Sequence, residues 1–385
     1  MTGYIPPTFT ILIPTYNQAH YLPACLDSLL AQTCSNWEAV IVNDGSTDNT
    51  QELLAQYARK DSRFRVLNKE NGGVATALNM ALENASGKWI CWLSSDDMFM
   101  PDKLETHIRG FIAYPDSCFF HTNYHVLFEE SGQFSAIELP VDYIPPVELQ
   151  VLRFFEINYI NGISIAVHHS VFDRVGGFNT TLRNGQDFDM WLRISALFRS
   201  QYIDQHSCIT RIHPDQGSSL SADAGLFDSA RAALDFLNNH GFEELFPLLD
   251  LGDPRQGLFA VQHVLKILVN PLAYINSCGY GSALLLRMRE WLGTPAGRQQ
   301  QTFLAGPSFS GLITNIFDSA LPDNLKQAFT ELHRELGNPY TYQWCQEATL
   351  LKKHLDFVGE RVECSSDAAS LRSYLSRNNL IVQGN

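Results

Sequence analysis

Apolar and polar positions along the first hundred residues alternate between two periods. FTILI (9–13) is a short β-rich run stopping at Pro14, after which Leu22, Leu26, Leu29 and Leu30 recur at helical spacing. The pattern then repeats. WEAVIV (37–42) precedes a polar helical stretch at 47–60, FRVLN (64–68) precedes VATALNMALENA (74–85), and KWICWL (88–93) precedes PDKLETHIRGFIAY, with Pro101 near its first helical turn. Four strand–helix pairs with short connections predict a parallel sheet covered by helices, whose ligand crevice lies at the carboxyl ends of the strands. The loops PTYN, NDGSTD, NKENGG and SSDD all fall on that edge.

From about residue 114 the pattern loosens. Strands are expected at 117–128, 163–170 and 201–214, a proline-rich loop at 137–148, and an amphipathic helix at 184–198. Beyond about 225 the strand signal fades, and Leu-rich helical faces appear at 226–250, 258–269, 281–292, 324–336 and 345–358. The expected organisation is therefore an α/β domain over 1–225 and an α-helical C-terminal region over 226–385.

The chain has 385 residues, 45% of them hydrophobic and 18% charged, which suits a globular protein with a sizeable core. A formal charge of −14 argues against non-specific binding to nucleic acid or anionic lipid. The eight cysteines show no CxxC and no repeating interval, so they read as reduced packing residues. The N-terminus has no basic segment or small-residue cleavage site. The longest apolar window (258–278) holds His263, Lys266, Asn270 and Pro271, and reads as a core helix broken at proline instead of a membrane span. A cytoplasmic protein is expected.

The edge loops carry the candidate chemistry. Asn43 and Asp44 end a strand where a carboxylate can accept from a base or sugar, and Gly45 and Ser46 enter a helix start. Gly72 and Gly73, beside Lys69, begin another helix suited to phosphate. Adjacent Asp96 and Asp97 repel each other unless water, a cation or a partner relieves them. They are hard oxygen ligands of the kind that hold Mg²⁺ or Mn²⁺, and such an ion would bridge a diphosphate. An acid pair is equally well a solvated helix cap. Four such loops on one edge tip the reading towards a nucleotide–metal site.

PTYN (14–17), NDGSTDNT (43–50), NGGVATALN (71–79), GKWICWLSSDD (87–97), GGFN (176–179) and QDFDMWLR (186–193) resemble, in order and spacing, the signature of family 2 glycosyltransferases. The resemblance covers roughly 8–215. It implies the GT-A fold, a Rossmann-like mixed sheet flanked by helices, and an inverting enzyme using a nucleotide-diphosphate sugar, a UDP-sugar by default. It implies that Thr15, Tyr16 and Asp44 hold the base, that Asp96 lies near the ribose, that Asp97 is the metal ligand, and that Asp187 is the catalytic base. His213, in RIHPDQGS, resembles a segment approaching the metal and diphosphate. The candidate donor set is thus Pro14, Thr15, Tyr16, Asn17, Asp44, Gly45, Ser46, Gly72, Gly73 and Asp96, with Asp97 and His213 at the Mn²⁺ or Mg²⁺.

Three positions depart from the family pattern: Leu78 stands where Arg is frequent, Gln186 where Glu usually precedes the base, and Ser94 where an Asp precedes the pair by two. The QxxRW motif of processive synthases is absent, which favours transfer of a single sugar to a glycan, a lipid-linked acceptor or a small glycoside. Asp189 is expected on another helix face, capping or solvated. The C-terminal helices are candidates for homodimerisation or for docking a partner. A sugar nucleotidyltransferase would want a Gly- and Arg-rich loop where PTYN stands. A degenerate nucleotide-sugar-binding protein is the alternative that retained Asp97 and Asp187 argue against.

Overall fold

The computed structural model describes residues 6–137, 144–214, 216, 222–269 and 281–300. Four parallel strands, β1 (Phe9–Thr15), β2 (Trp37–Asp44), β3 (Phe64–Lys69) and β4 (Trp89–Trp92), alternate with α1 (Leu22–Leu30), α2 (Thr50–Lys60) and α3 (Val74–Glu83). Then follow β5 (Met98–Phe99), α4 (Lys103–Ala113), β6 (Phe119–Phe128), β7 (Gln133–Ile137), α5 (Gln150–Phe154), β8 (Ala166–His168), α6 (Phe172–Val175), α7 (Gln186–Leu197) and β9 (Ser200–Ile212). The strands form one mixed sheet in the order β3-β2-β1-β4-β8-β6-β9-β5, with β7 hydrogen-bonded to β6.

The helical periodicity is obeyed at α1, which buries Leu22, Cys25, Leu26 and Leu29 against the sheet while Leu30 sits at the margin. Each fully buried leucine contributes roughly 1.5–3 kcal/mol. Trp37, Trp89, Phe99, Phe120 and Cys208 belong to the same core. β1 runs on through Pro14, past the point where the sequence ends it. β4 pairs with β1 only as far as Leu12, so beyond that residue one side of β1 carries no β4 ladder and a proline is tolerated.

The second half of the sheet reverses direction at β8, which is antiparallel to both β4 and β6. β6 and β9 consequently run parallel to each other and in the same sense as β4, and their far ends reach the loop edge. The expected strand at 163–170 shortens to three residues, because residues 162–164 form a 3₁₀ turn capped by Asn161. β5 and β7 are too short or too polar to announce themselves in sequence. They form because β9 and β6 offer open edges.

Two compact units separate, one over Met1–Gln150 and Asn158–Ser229, the other over Val151–Ile157 and Ala230–Asn385. Described helices further along the chain are α8 (Ala222–Asn239), α9 (Pro254–Val269), α10 (Gly281–Leu292) and α11 (Pro295–Arg298). In the second unit Phe242 stacks on Trp291 at 4.9 Å, and Arg287 Nε donates to the Leu237 carbonyl. The stretch predicted as one helix over 226–250 stops at Asn239, before Gly241. Helices predicted at 324–336 and 345–358 lie outside the described residues. No described helix is long and apolar enough to cross a membrane.

Candidate functional site

The loops after β1 and β2 are laced together by their own side chains. Asn17, at φ 52°, donates its amide to Ser46 Oγ at 3.0 Å, and its Oδ1 accepts from the Thr47 amide at 2.8 Å. Pro14 and Thr15 are buried in the end of β1, whereas Tyr16 is 45% exposed and presents its ring to solvent. Thr15 Oγ1 is buried without a hydrogen-bond partner.

Asp44 is already well supplied with donors. Its Oδ1 accepts from Lys69 Nζ at 2.5 Å and from the Gly72 amide at 3.0 Å, and its Oδ2 accepts from the Gly73 amide at 2.8 Å. A carboxylate has about four lone-pair sites, so one remains for a ligand. The amides of Gly72 and Gly73, at the start of α3, are thus committed to Asp44, and a phosphate there would have to displace it. Glycine is required at 45 for a similar reason. Its φ is +76°, and a Cβ would sit 2.8 Å from the Asn71 amide nitrogen, so backbone already fills the space beside it. Leu78 is fully buried and faces the core, so no donor contact comes from that position.

The acid pair sits in the turn after β4, where the Asp97 amide donates to the Ser94 carbonyl. Both acids are buried. The relief their proximity demands comes in part from β9, more than a hundred residues away. The Arg211 amide donates to Asp97 Oδ1 at 2.8 Å, Arg211 Nε donates to the Asp96 carbonyl at 3.0 Å, and His213 Nε2 lies 3.1 Å from Asp96 Oδ2. Glu129, just past the end of β6, ion-pairs with Arg211. Tyr21 lies beside both side chains, with its ring 4.2 Å from that of His213 and 5.2 Å from the Arg211 guanidinium. Burial, and secondly the charge of Asp96, push the Asp97 carboxyl well above the usual carboxylate range.

Two carboxylates and an imidazole suit Mg²⁺ or Mn²⁺ chemically. His213 Nδ1 is buried without a hydrogen-bond partner. Among the described residues no three His, Cys, Asp or Glu side chains form a ready-made cation cage. The residues present fit the group.

Asp187 stands apart, on the first turn of α7, where Gly185 at φ 68° opens the helix. Its Oδ2 accepts from Asn158 Nδ2 at 3.2 Å. Burial raises its carboxyl above the ordinary value, against hydrogen bonds from the Phe188 amide and Asn158. Asp189 differs from its expected role as a cap or solvated acid. Being two residues on, it turns to Arg193, pairing at 2.6 Å, and Arg193 in turn donates to the carbonyls of Val175 and Gly177. Asn79, on α3, accepts from the Phe178 amide at 2.7 Å and donates to its carbonyl at 2.9 Å, gripping the GGFN loop from the other side.

The fold thus brings Asp96, Asp97 and His213 together, bonds Asn17 to Ser46 and, separately, Asp44 to the amides of Gly72 and Gly73, and holds Asp187 on another element. Sequence reasoning passed over Arg211, Glu129, Tyr21, Asn79 and Asn158. Asn79 left a legible signal, a polar residue four positions after Ala75 on an apolar helix face. Asn158, in an irregular stretch, left none.

Residues 10–176 match the family model described as Glycosyl transferase family 2. An uncharacterized glycosyltransferase of Rickettsia felis is 34% identical over 220 residues, covering 55% of this chain and 35% of its own. A chondroitin synthase of Pasteurella multocida is 32% identical over 224 residues, covering 56% and 22%. The chain thus spans about a third of the length of the first curated relatives it matches. Among solved structures, S. aureus TarS 1-349 superposes with a TM-score of 0.52 at 15% identity, covering 93% of this chain and 94% of its own. Mannosyltransferase PcManGT from Pyrobaculum calidifontis, solved with GDP-Man and Mn²⁺, gives 0.51 at 19%, covering 85% and 87%. The fold is GT-A, a mixed sheet flanked by helices. Residues 10–176 form a domain of glycosyltransferase family 2.

Proposed function

We propose that this protein is an inverting glycosyltransferase that moves one sugar from a nucleotide-diphosphate donor, a UDP-sugar by default, to an acceptor hydroxyl. The acceptor class is a surface glycan, a lipid-linked glycan or a small glycoside, and residues 1–225 form the transferase domain. The observation carrying this reading is the convergence of Asp96, Asp97 and His213 at one edge while Asp187 is held on a separate element. An inverting displacement needs that division, because the acceptor attacks the anomeric carbon from the face opposite the leaving diphosphate.

In this reading Thr15, Tyr16 and the remaining acceptor site of Asp44 receive the base, and Asp96 lies near the ribose. Pro14, Asn17, Gly45 and Ser46 shape the wall, while Gly72 and Gly73 act through Asp44. Asp97 and His213 would hold Mg²⁺ or Mn²⁺, which when bound neutralises charge on the departing diphosphate. Arg211 keeps the acid turn in place. Asp187 accepts the acceptor's hydroxyl proton, a contribution of about 10²–10⁴-fold. Its raised carboxyl brings it nearer a working pH. Because the base works only when ionised, kcat/KM falls as pH drops through that raised value.

The test is turnover of UDP-GlcNAc, UDP-glucose, GDP-mannose and dTDP-glucose with Mn²⁺, with and without an acceptor panel, by wild type and Asp187→Asn. The expected outcome is nucleotide release by wild type and a loss of about 10²–10⁴-fold in the variant, with donor binding kept. Equal rates in both would remove Asp187 from the chemistry. Donor binding without any turnover would make the chain a nucleotide-sugar-binding protein.

A further inference from the structure

The stretch NYINGIS (158–164) ties together parts of the domain that the proposed chemistry uses at a distance. At one end Asn158 Nδ2 reaches Asp187 Oδ2 at 3.2 Å. Three residues on, Asn161 Nδ2 donates to Thr210 Oγ1 at 2.9 Å, one residue before Arg211 on β9. Gly162 lies so flat on Trp92, at the end of β4, that a Cβ would approach its ring to 2.9 Å. Three residues span at most about 11 Å of extended chain, so this strap limits how far Asp187 can stand from the strand that carries Arg211 and leads into His213.

We propose that Asn158 is the positioning residue of the base, its side-chain amide fixing the rotation of the Asp187 carboxylate towards the acceptor hydroxyl. The proposal rests on Asp187 being the base. Asn158 is exposed, so its side chain fills no core space and its bond to Asp187 is what it contributes. The other hydrogen bonds on this carboxylate come from the amides of Phe188 and Asp187 itself, which any helix N-terminus provides. The charged groups nearby are engaged elsewhere. Asp189 and Arg193, on the same helix, pair with each other, and Asp228 of α8 accepts from the amides of Arg183 and Asn184 across the turn before α7. A base oriented by a third group is a recurring arrangement in proton-transfer sites.

The experiment is a ¹³C NMR titration of the Asp187 side-chain carboxyl in the full chain, assigned with Asp187→Asn, for wild type, Asn158→Ala and Asn158→Asp. A donor to the charged form lowers a carboxyl's pKa, so Asn158→Ala is expected to raise it by about one unit. Asn158→Asp puts a like charge beside it and is expected to raise it further. In the turnover assay the acid limb of kcat/KM should move with the titration, lowering the rate about tenfold below the limb per unit while the high-pH plateau changes less. An unchanged titration in Asn158→Ala overturns the proposal, and does so even if Asp187→Asn abolishes transfer. A shifted titration with an Asp187→Asn enzyme as active as wild type overturns instead the reading of Asp187 as base, and the positioning role falls with it.

Discussion

Asp44 carries three donors before any ligand arrives, and that changes what substitutions there should do. Replacing it with Ala leaves the Lys69 ammonium, whose side chain is only 18% exposed, without its carboxylate, and strands two amides. Asp44→Ala is therefore expected to cost about 3–5 kcal/mol in urea unfolding, as for other broken buried pairs. Asp44→Asn keeps an acceptor for the amides and should cost less, about 1–3 kcal/mol. A residue that touched only nucleotide would show neither loss. The sequence made the residue type legible, an acid at a strand end. It could not show that Gly72 and Gly73 serve the acid instead of a phosphate, because that depends on β2 and β3 lying side by side in a register that pairs Asp44 with Lys69.

At the scale of elements, β1, β2 and the turn before β4 meet at Glu38, on the edge opposite the site. Its carboxylate accepts from Thr10 Oγ1, from the amide and hydroxyl of Ser86, and from Arg65. Burial works to raise this carboxyl, but the hydrogen bonds from Ser86, Thr10 and Arg65 prevail and hold it below its ordinary value. The sign follows by linkage. A depressed carboxyl adds stability above its unfolded pKa of about 4.3 and loses it as pH falls through the folded value. Glu38→Gln should therefore lower the urea midpoint at neutral pH and flatten its decline on acidification, measured between pH 7 and pH 3. An unchanged acid slope would mean that other carboxylates carry it. The strands themselves were plain in the sequence, since FTILI and WEAVIV are apolar and β-branched. The short β5 and polar β7 were not, because they form on edges that exist only once β6 and β9 are laid down.

The whole molecule carries a formal charge of −14, which opposes capture of a nucleotide diphosphate. Arg211 offsets part of this at the acid pair, but it is already engaged there. UDP alone is accordingly expected to raise the melting temperature little, and UDP with Mn²⁺ to raise it by an amount that grows with concentration. At one hundred times Kd the stabilisation is about 2.7 kcal/mol. In Asp97→Ala the manganese-dependent part should vanish while the transition stays cooperative, as read by thermal shift. Equal stabilisation with and without Mn²⁺ would contradict the assignment of Asp97.

The alternation of strands and helices over the first hundred residues, the edge on which the loops gather and the presence of an acid pair among them were determined by the sequence alone. They follow from periodicity and punctuation, which are properties of neighbouring residues. Which side chains answer those acids was decided only by the tertiary structure. Arg211 and His213 reach Asp97 and Asp96 from 114 and 117 positions away, Asn79 grips a loop 99 residues on, and Asn158 meets Asp187 from a stretch with no pattern. Such pairings depend on strand order and on the reversal at β8, and no local period records either.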